Sequence, residues 1–317
     1  MEQDMQVTIH IGMPKCASST VQAHFADNDA LYQSKGFLYP TRHRLKNGYR
    51  HHNPLFEPDL SPDTAVQDLL REATRKNCAR ILISTERFTT DTEAHLAKIT
   101  AAFARQIGAE NITCLCLVRD PASMLRSSFQ QFVRAGLWRV NRAKFYAETD
   151  GSITAFFRAF RAENGFELHE YDKIIARTTK GVTAGKLLVW DIKDGPDILT
   201  RLTQHFELPA GSAPKKQNLS FPPAKIAFLR QFQQNYGQEI YQQNRPALLR
   251  KIDLSAVVIS AEDAERDGLD LSDGALDALF PTLQDGFHKA LALNGHALPL
   301  TPGGTATDTL ADTVTGA

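Results

Sequence analysis

The stretch Gln6-Val7-Thr8-Ile9-His10-Ile11-Gly12-Met13-Pro14-Lys15-Cys16-Ala17-Ser18-Ser19-Thr20 decides the fold. Gln6 to Ile11 is a short β-branched run that stops at Gly12, the pattern of a buried strand feeding a loop. From Ser18 onward, through Val21, His24 and Phe25, the pattern is helical, and the hydroxyl residues suit a helix's first turn. A strand, a loop and a helix in that order gather outward-pointing amides and the positive end of a helix dipole, and Lys15 adds a full charge. Such a junction suits phosphate or sulfate oxygens. It is not the nucleotide triphosphatase loop, because Gly-x-x-x-x-Gly-Lys-Ser/Thr is absent and the lysine comes early. The plain alternative is a strand–loop–helix connection with a solvent lysine.

Outward from this stretch the chain alternates. Strands are expected at Arg80–Ser84, Ile112–Val118 and Lys186–Trp190. Helices are expected at Ala65–Arg75, Thr92–Ile107, Pro121–Val133, Ser152–Arg161, Pro196–Phe206 and Pro222–Asn244. This order predicts an α/β chain, a parallel β-sheet flanked by helices, with ligands at the carboxyl ends of the strands. Residues 32–63, polar, aromatic and dotted with proline, read as an irregular insertion. Residues 299–317 read as a disordered tail. Phe156, Phe157, Phe160 and Trp190 are expected in the core, and His10 within the first strand below the site.

The 317 residues hold 36 acids and 36 bases, so net charge points neither to nucleic acid nor to an anionic membrane. The distribution is less even. Acids are absent between Gly36 and Phe56, where Arg42, Arg44, Lys46 and Arg50 lie among His43, His51 and His52, and again from Pro121 to Ala147. Two locally basic stretches suggest a small anionic ligand, or solvated faces that happen to be basic. Four cysteines make no disulfide framework, and neither Cys114-x-Cys116 nor His51-His52 has partners at metal-ligand spacing, so no metal is expected. Reduced thiols, no signal-peptide pattern at the first residues and no apolar run of membrane length predict a cytoplasmic protein without an integral membrane segment. The oligomeric state is not legible.

Pro14-Lys15-Cys16-Ala17-Ser18-Ser19-Thr20 resembles the Pro-Lys-x-Gly-x-Thr loop of the sulfotransferases that use 3'-phosphoadenosine 5'-phosphosulfate (PAPS). In that family the loop holds the 5'-phosphosulfate. Cys16 and Ala17 depart from it, standing where Thr or Ser and Gly are usual, and a missing glycine restricts the backbone. A second stretch, Leu117-Val118-Arg119-Asp120-Pro121 running on to Arg126-Ser127-Ser128-Phe129, looks like the family's 3'-phosphate signature. There an arginine closing a strand presents a planar fork, and a serine eight residues later donates from the next helix; Arg119 and Ser127 have that spacing. Taken by themselves, Arg119-Asp120 could be a local salt bridge.

Between these lies Ile83-Ser84-Thr85-Glu86, similar to the Ser-Ser-Glu of bacterial, carbohydrate-type members in which a carboxylate replaces the histidine base of the cytosolic enzymes. The resemblance implies that Glu86 deprotonates the acceptor hydroxyl, with its pKa raised opposite an anionic co-substrate, while Lys15 stabilises the leaving oxygen. The alternatives are Glu86 as an ion-pair partner of Arg87 and, for the base, His51 or His52. Lys215-Lys216-Gln217-Asn218-Leu219-Ser220 matches the family's Lys/Arg-x-Asn-x-Ser loop over the adenosine bisphosphate, with Lys215, Lys216, Asn218 and Ser220 as ligands; otherwise it is a basic linker whose Ser220 caps a helix.

The resemblance thus implies a P-loop NTPase-like sulfotransferase fold in a single domain, residues 1–298. Pro14 to Thr20, Arg119 and Ser127 would bind PAPS, and Lys15 and Glu86 would do the chemistry. The acceptor would be a small molecule or glycan, with His51, His52, Arg134 and Arg139 as candidate contacts. Two other classes stay open. One is a kinase-like phosphotransferase, which lacks here the Walker lysine position and a clear magnesium-binding acid. The other is a non-catalytic anion-binding protein that retains the loop.

Overall fold

The computed structural model describes residues 5–45, 50–91, 93–135, 145, 148–214, 221–260 and 272–298. Five strands form one all-parallel sheet: β1 (Gln6–Gly12), β2 (Phe37–Leu38), β3 (Arg80–Ser84), β4 (Ile112–Val118) and β5 (Lys186–Asp191). Their order is β2-β3-β1-β4-β5, and helices flank the sheet. The inner strands are near-continuous apolar runs because a parallel sheet is covered on both faces: Ile81 to Ile83 and Cys114 to Val118 are buried throughout. Ile9 stands opposite Ile83 on one side and Cys114 on the other. The chain runs from β1 to β2 and β3 on one side, then crosses to β4 on the other. In such sheets the crevice at the strands' carboxyl ends collects ligands at that reversal.

Contacts among the described residues gather the chain into two compact units. The first draws on Met1–Arg119, Tyr171–Gln217 and Phe287–Ala317; the second on Asp120–Glu170 and Asn218–Gly286. The first unit holds the sheet with α1 (Ser18–Asp27), α2 (Asp29–Gln33), α3 (Pro62–Arg75), α4 (His95–Ile107), α7 (Tyr171–Thr178) and α8 (Ile198–His205). Phe25, Tyr32, Phe37 and Phe206 pack as one aromatic cluster in it, with centroids 4.9 to 6.3 Å apart. The second unit is helical: α5 (Pro121–Ala135), α6 (Ile153–Asn164), α9 (Pro223–Lys251) and α10 (Asp273–Leu279). Its core centres on Phe129, Phe132, Phe156 and Phe157. A final helix, α11 (Asp285–Ala292), leads back into the first unit. Among the described residues no helix is long and apolar enough to cross a membrane.

The structure departs from the sequence reading at several places. The insertion at 32–63 is not wholly irregular: Phe37 and Leu38 pair with Arg80 and Ile81 as the sheet's edge strand. The helix expected from Thr92 begins at His95, after Ala94 in a left-handed conformation, and the His95 amide donates to the Asp91 carboxylate at 2.7 Å. The long helix runs on to Lys251, broken at Gly237, whose φ of 77° no helical residue adopts. Helices α2, α7, α10 and α11 were not anticipated. The tail at 299–317 lies outside the described residues.

Candidate functional site

Because every strand runs the same way, the ends of β3, β1 and β4 share one edge of the sheet, side by side. The residues singled out in the sequence leave from these ends. At β1 the register slips by a bulge, with His10 opposite Leu115 and Gly12 opposite Cys116, which turns the chain out of the ladder and into the loop. Lys15 and Ala17 both take left-handed backbone conformations, each with φ 64°. Turns of this kind aim successive amides into a concavity that favours anions. Ala17 therefore holds a glycine-like geometry without being glycine, at a cost of about 1 kcal/mol.

Ala17 is also the N-cap of α1, and no side chain caps that helix. Ser61, Ser152 and Asp197 do so for α3, α6 and α8. Among the described residues the amides of Ala17, Ser18 and Ser19 have no backbone acceptor. Ser18 is buried, its hydroxyl 3.3 Å from the Met13 carbonyl, while Ser19 and Thr20 are exposed and Pro14 is half-buried. Cys16 is fully buried, and that burial, aided by neighbouring Cys116, pushes its thiol well above the ordinary value. It stays protonated and is no nucleophile.

At the end of β3, the Thr85 amide donates to the His10 carbonyl at 3.1 Å, and the Thr85 hydroxyl accepts from the Arg87 amide. Glu86 then opens a short 3-10 turn, Glu86–Thr90. Loss of solvent is the largest influence on its carboxyl and raises the pKa above the usual carboxylate range; a hydrogen bond with Ser18 and the charge of Lys15 work against it. Lys15, Ser18 and Glu86, from two separate loops, are thus brought together. Arg87 turns elsewhere, its guanidinium 4.7 Å from the centre of the Phe56 ring.

The two loops approach closely because residue 12 is glycine. A Cβ there would lie 3.3 Å from Thr89 Cγ2 and 3.6 Å from Glu86 Cα, at a φ of 115° that side chains avoid. Thr89 in turn donates to the Glu86 carbonyl at 2.8 Å. Beneath them His10 is buried in β1, its Nδ1 2.7 Å from the Ser84 hydroxyl, and burial lowers its pKa to about 4.

Arg119 follows β4 and reaches the loop directly: its Nη1 donates to the Lys15 carbonyl at 3.1 Å. The Tyr171 hydroxyl donates to the Arg119 carbonyl at 3.0 Å, a brace that nothing in the sequence announced, since Tyr171 opens a short helix far along the chain. Asp120 does not pair with Arg119; it accepts from the Ser123 amide at 2.8 Å and starts α5. Ser127 is half-buried on α5, within the second unit.

The histidine pair divides. His51 is half-buried, but His52, expected as a rival base or an acceptor contact, is not accessible. His52 is fully buried, with Nε2 3.2 Å from the Pro40 carbonyl and Nδ1 3.2 Å from the Ser84 amide, as a neutral ring donates and accepts. Burial takes its pKa down to about 3. It ties the insertion to β3 and is closed to a substrate.

Two arginines of the basic insertion face acids of the first helices: Arg50 pairs with Asp27 at 2.5 Å and Arg44 approaches Asp29 at 3.9 Å. Arg134 lies in the last turn of α5, in the second unit. Arg139, Lys215, Lys216, Asn218 and Ser220 lie outside the described residues. Phe156, Phe157, Phe160 and Trp190 are buried, as expected. Among the described residues no three His, Cys, Asp or Glu side chains gather as metal ligands do. No family model matches the chain, and no curated protein sequence matches it.

Proposed function

We propose that the chain transfers a sulfuryl group from PAPS to an acceptor hydroxyl, on a P-loop NTPase-like sulfotransferase fold. The observation that carries this reading is the meeting of Lys15, Ser18 and Glu86 where β1 and β3 end, with Arg119 joining from β4. A cation, uncapped helix amides and a desolvated carboxylate at one edge suit an anionic donor beside a hydroxyl that must lose its proton. The residues fit the donor. Lys15 and the amides of Ala17 to Ser19 would hold the 5'-phosphosulfate, and Arg119 the 3'-phosphate.

In the reaction, the acceptor oxygen attacks sulfur and its proton passes to the Glu86 carboxylate. The bond from sulfur to the bridging oxygen breaks, and that oxygen leaves on adenosine 3',5'-bisphosphate with its new charge met by Lys15. Glu86 must be ionised to accept the proton, and its raised pKa makes it a stronger base than a solvated carboxylate. The acid limb of the rate profile is therefore expected above the ordinary carboxylate range. A carbohydrate or glycoconjugate hydroxyl is the proposed acceptor, on the likeness of Ser84-Thr85-Glu86 to the carbohydrate-type enzymes.

Titration with adenosine 3',5'-bisphosphate and with ATP tests the donor. The bisphosphate should bind more tightly, and Lys15→Ala should weaken it; tighter binding of ATP would overturn the reading in favour of a kinase-like transferase. A labelled-sulfate screen over sugars, lipids and phenols then identifies the acceptor. Binding of the bisphosphate with no transfer to any of them would leave an anion-binding protein instead.

A further inference from the structure

The second unit carries a concentration of positive charge that the transfer reaction does not use. Arg134 lies in the last turn of helix α5, where the Val133 and Arg134 carbonyls are already satisfied. Gln233 Nε2 donates to the Val133 carbonyl at 2.7 Å, and the Tyr241 hydroxyl and Arg245 Nε donate to the Arg134 carbonyl at 2.6 and 2.9 Å. The Arg134 side chain is therefore not needed as a helix cap. It lies over the Phe221 ring, 4.2 Å from its centre, and the Lys225 ammonium lies 4.6 Å from the same centre. Lys225 is held as a cap on α9, donating to the Leu249 and Ile252 carbonyls at 2.7 Å each.

Three cations thus share one small region, and for two of them, Arg134 and Arg245, no carboxylate among the described residues pairs with the charge. Among the described residues the buried Arg134 Nε has no hydrogen-bond acceptor. The exposed Asp253 feels Lys225. Loss of solvent lowers the Arg134 pKa, and the nearby Arg245 lowers it further. Like charges held together and partly out of water are unfavourable until an anion joins them. A guanidinium offers parallel N–H groups spaced for two oxygens of one group, which lysine does not. The sequence continues in kind, with no acid from Pro121 to Ala147 and with Arg139, Arg142 and Lys144 following Arg134.

We infer that Arg134, set against Phe221, and Arg245 beside it form a binding site for the oxyanion of a small ligand, a sulfate, phosphate or carboxylate group. This site lies within the second unit and owes nothing to the Lys15 loop, so it stands whether or not the chain transfers sulfuryl groups.

The test starts from the full chain carrying Lys15→Ala, which removes the loop's own cation. Isothermal titration with inorganic sulfate and, separately, with glucuronate, at constant ionic strength set by chloride, should show saturable binding of at least one. The tighter of the two names the class of anion. Adding Arg134→Gln should weaken that binding tenfold or more, with the thermal midpoint recording whether the fold survives. Arg245→Lys keeps the charge but loses the fork, and should weaken it at least threefold without unfolding the chain. Saturable binding of neither anion to the Lys15→Ala protein, or equal affinity in the Arg245→Lys protein, would overturn the inference.

Discussion

Two glutamates, Glu72 on α3 and Glu86 after β3, carry the same side chain into opposite surroundings. Glu72 is almost wholly buried, yet its carboxylate is met from all sides. The Thr41 and Arg42 amides donate to it at 3.1 and 2.8 Å, the Thr41 hydroxyl at 2.6 Å, and the Lys76 ammonium lies at 2.9 Å. Burial alone would raise its pKa, but these donors outweigh burial and take it down to about 2. Glu86 has the Ser18 bond and the Lys15 charge, and loss of solvent prevails over both. Where donors saturate a carboxylate, it clasps two segments together. Where they are withheld, it keeps an appetite for a proton, which is what a base requires.

The sharpest way to break this comparison is to remove each carboxylate in turn. Glu86→Gln should lower transfer by about 10²- to 10⁴-fold, the usual worth of a positioned base, while adenosine 3',5'-bisphosphate binds as before. Unchanged turnover would strip Glu86 of its role. Glu72→Ala should instead leave the chemistry alone and cost about 1–3 kcal/mol of stability, because the Thr41 and Arg42 donors lose their acceptor, read as a shift in the denaturant midpoint.

The pH dependence separates the two by sign. Because the folded pKa of Glu72 is depressed, its contribution is present above about pH 4.5, the ordinary carboxylate value, and is lost as pH falls toward about 2. Because that of Glu86 is raised, the stability linked to its proton is present below the ordinary value and is lost as pH rises through the folded value. Glu86→Gln should therefore be as stable as the parent or slightly more so at pH 7, and the difference should vanish on acidification. A Glu86→Gln protein less stable at pH 7 would place it with the clasps. The smallest effect concerns the loop itself: Ala17→Gly should stabilise the chain by about 1 kcal/mol or less, since it relieves a left-handed alanine but frees the unfolded chain. A loss of stability would mean that the methyl group packs.

Much of this was readable beforehand for a physical reason. The strands β3, β4 and β5 carry near-continuous apolar runs and β1 is β-branched through Val7, Ile9 and Ile11, and a parallel sheet buried on both faces favours such patterns. Such a sheet brings all strand ends to one edge, so Lys15, Glu86 and Arg119 were placed together once their strands were known. The edge strand at Phe37 and Leu38 was not legible, because two residues have no periodicity and are held by pairing with Arg80 and Ile81. The same is true of α2 and α10, too short to form without tertiary contacts. His52 looked like a surface residue in a basic run, and only the carbonyl of Pro40 and the amide of Ser84, remote in sequence, disclose its structural use. Tyr171 escaped notice for the same reason, since its partner is the backbone of Arg119.

Gly12 gives the edge a ruler. The approach of the two loops is measured by one absent methyl group, which would crowd the Thr89 side chain and touch the Glu86 backbone. Any other residue at this position would be strained at a φ of 115° and would press on the Thr89 side chain, which must then give by a few tenths of an ångström. If the proposed transfer depends on this spacing, a chain changed there would still keep its sheet, its lysine and its glutamate, and the defect would be invisible to anyone who checked only for those residues.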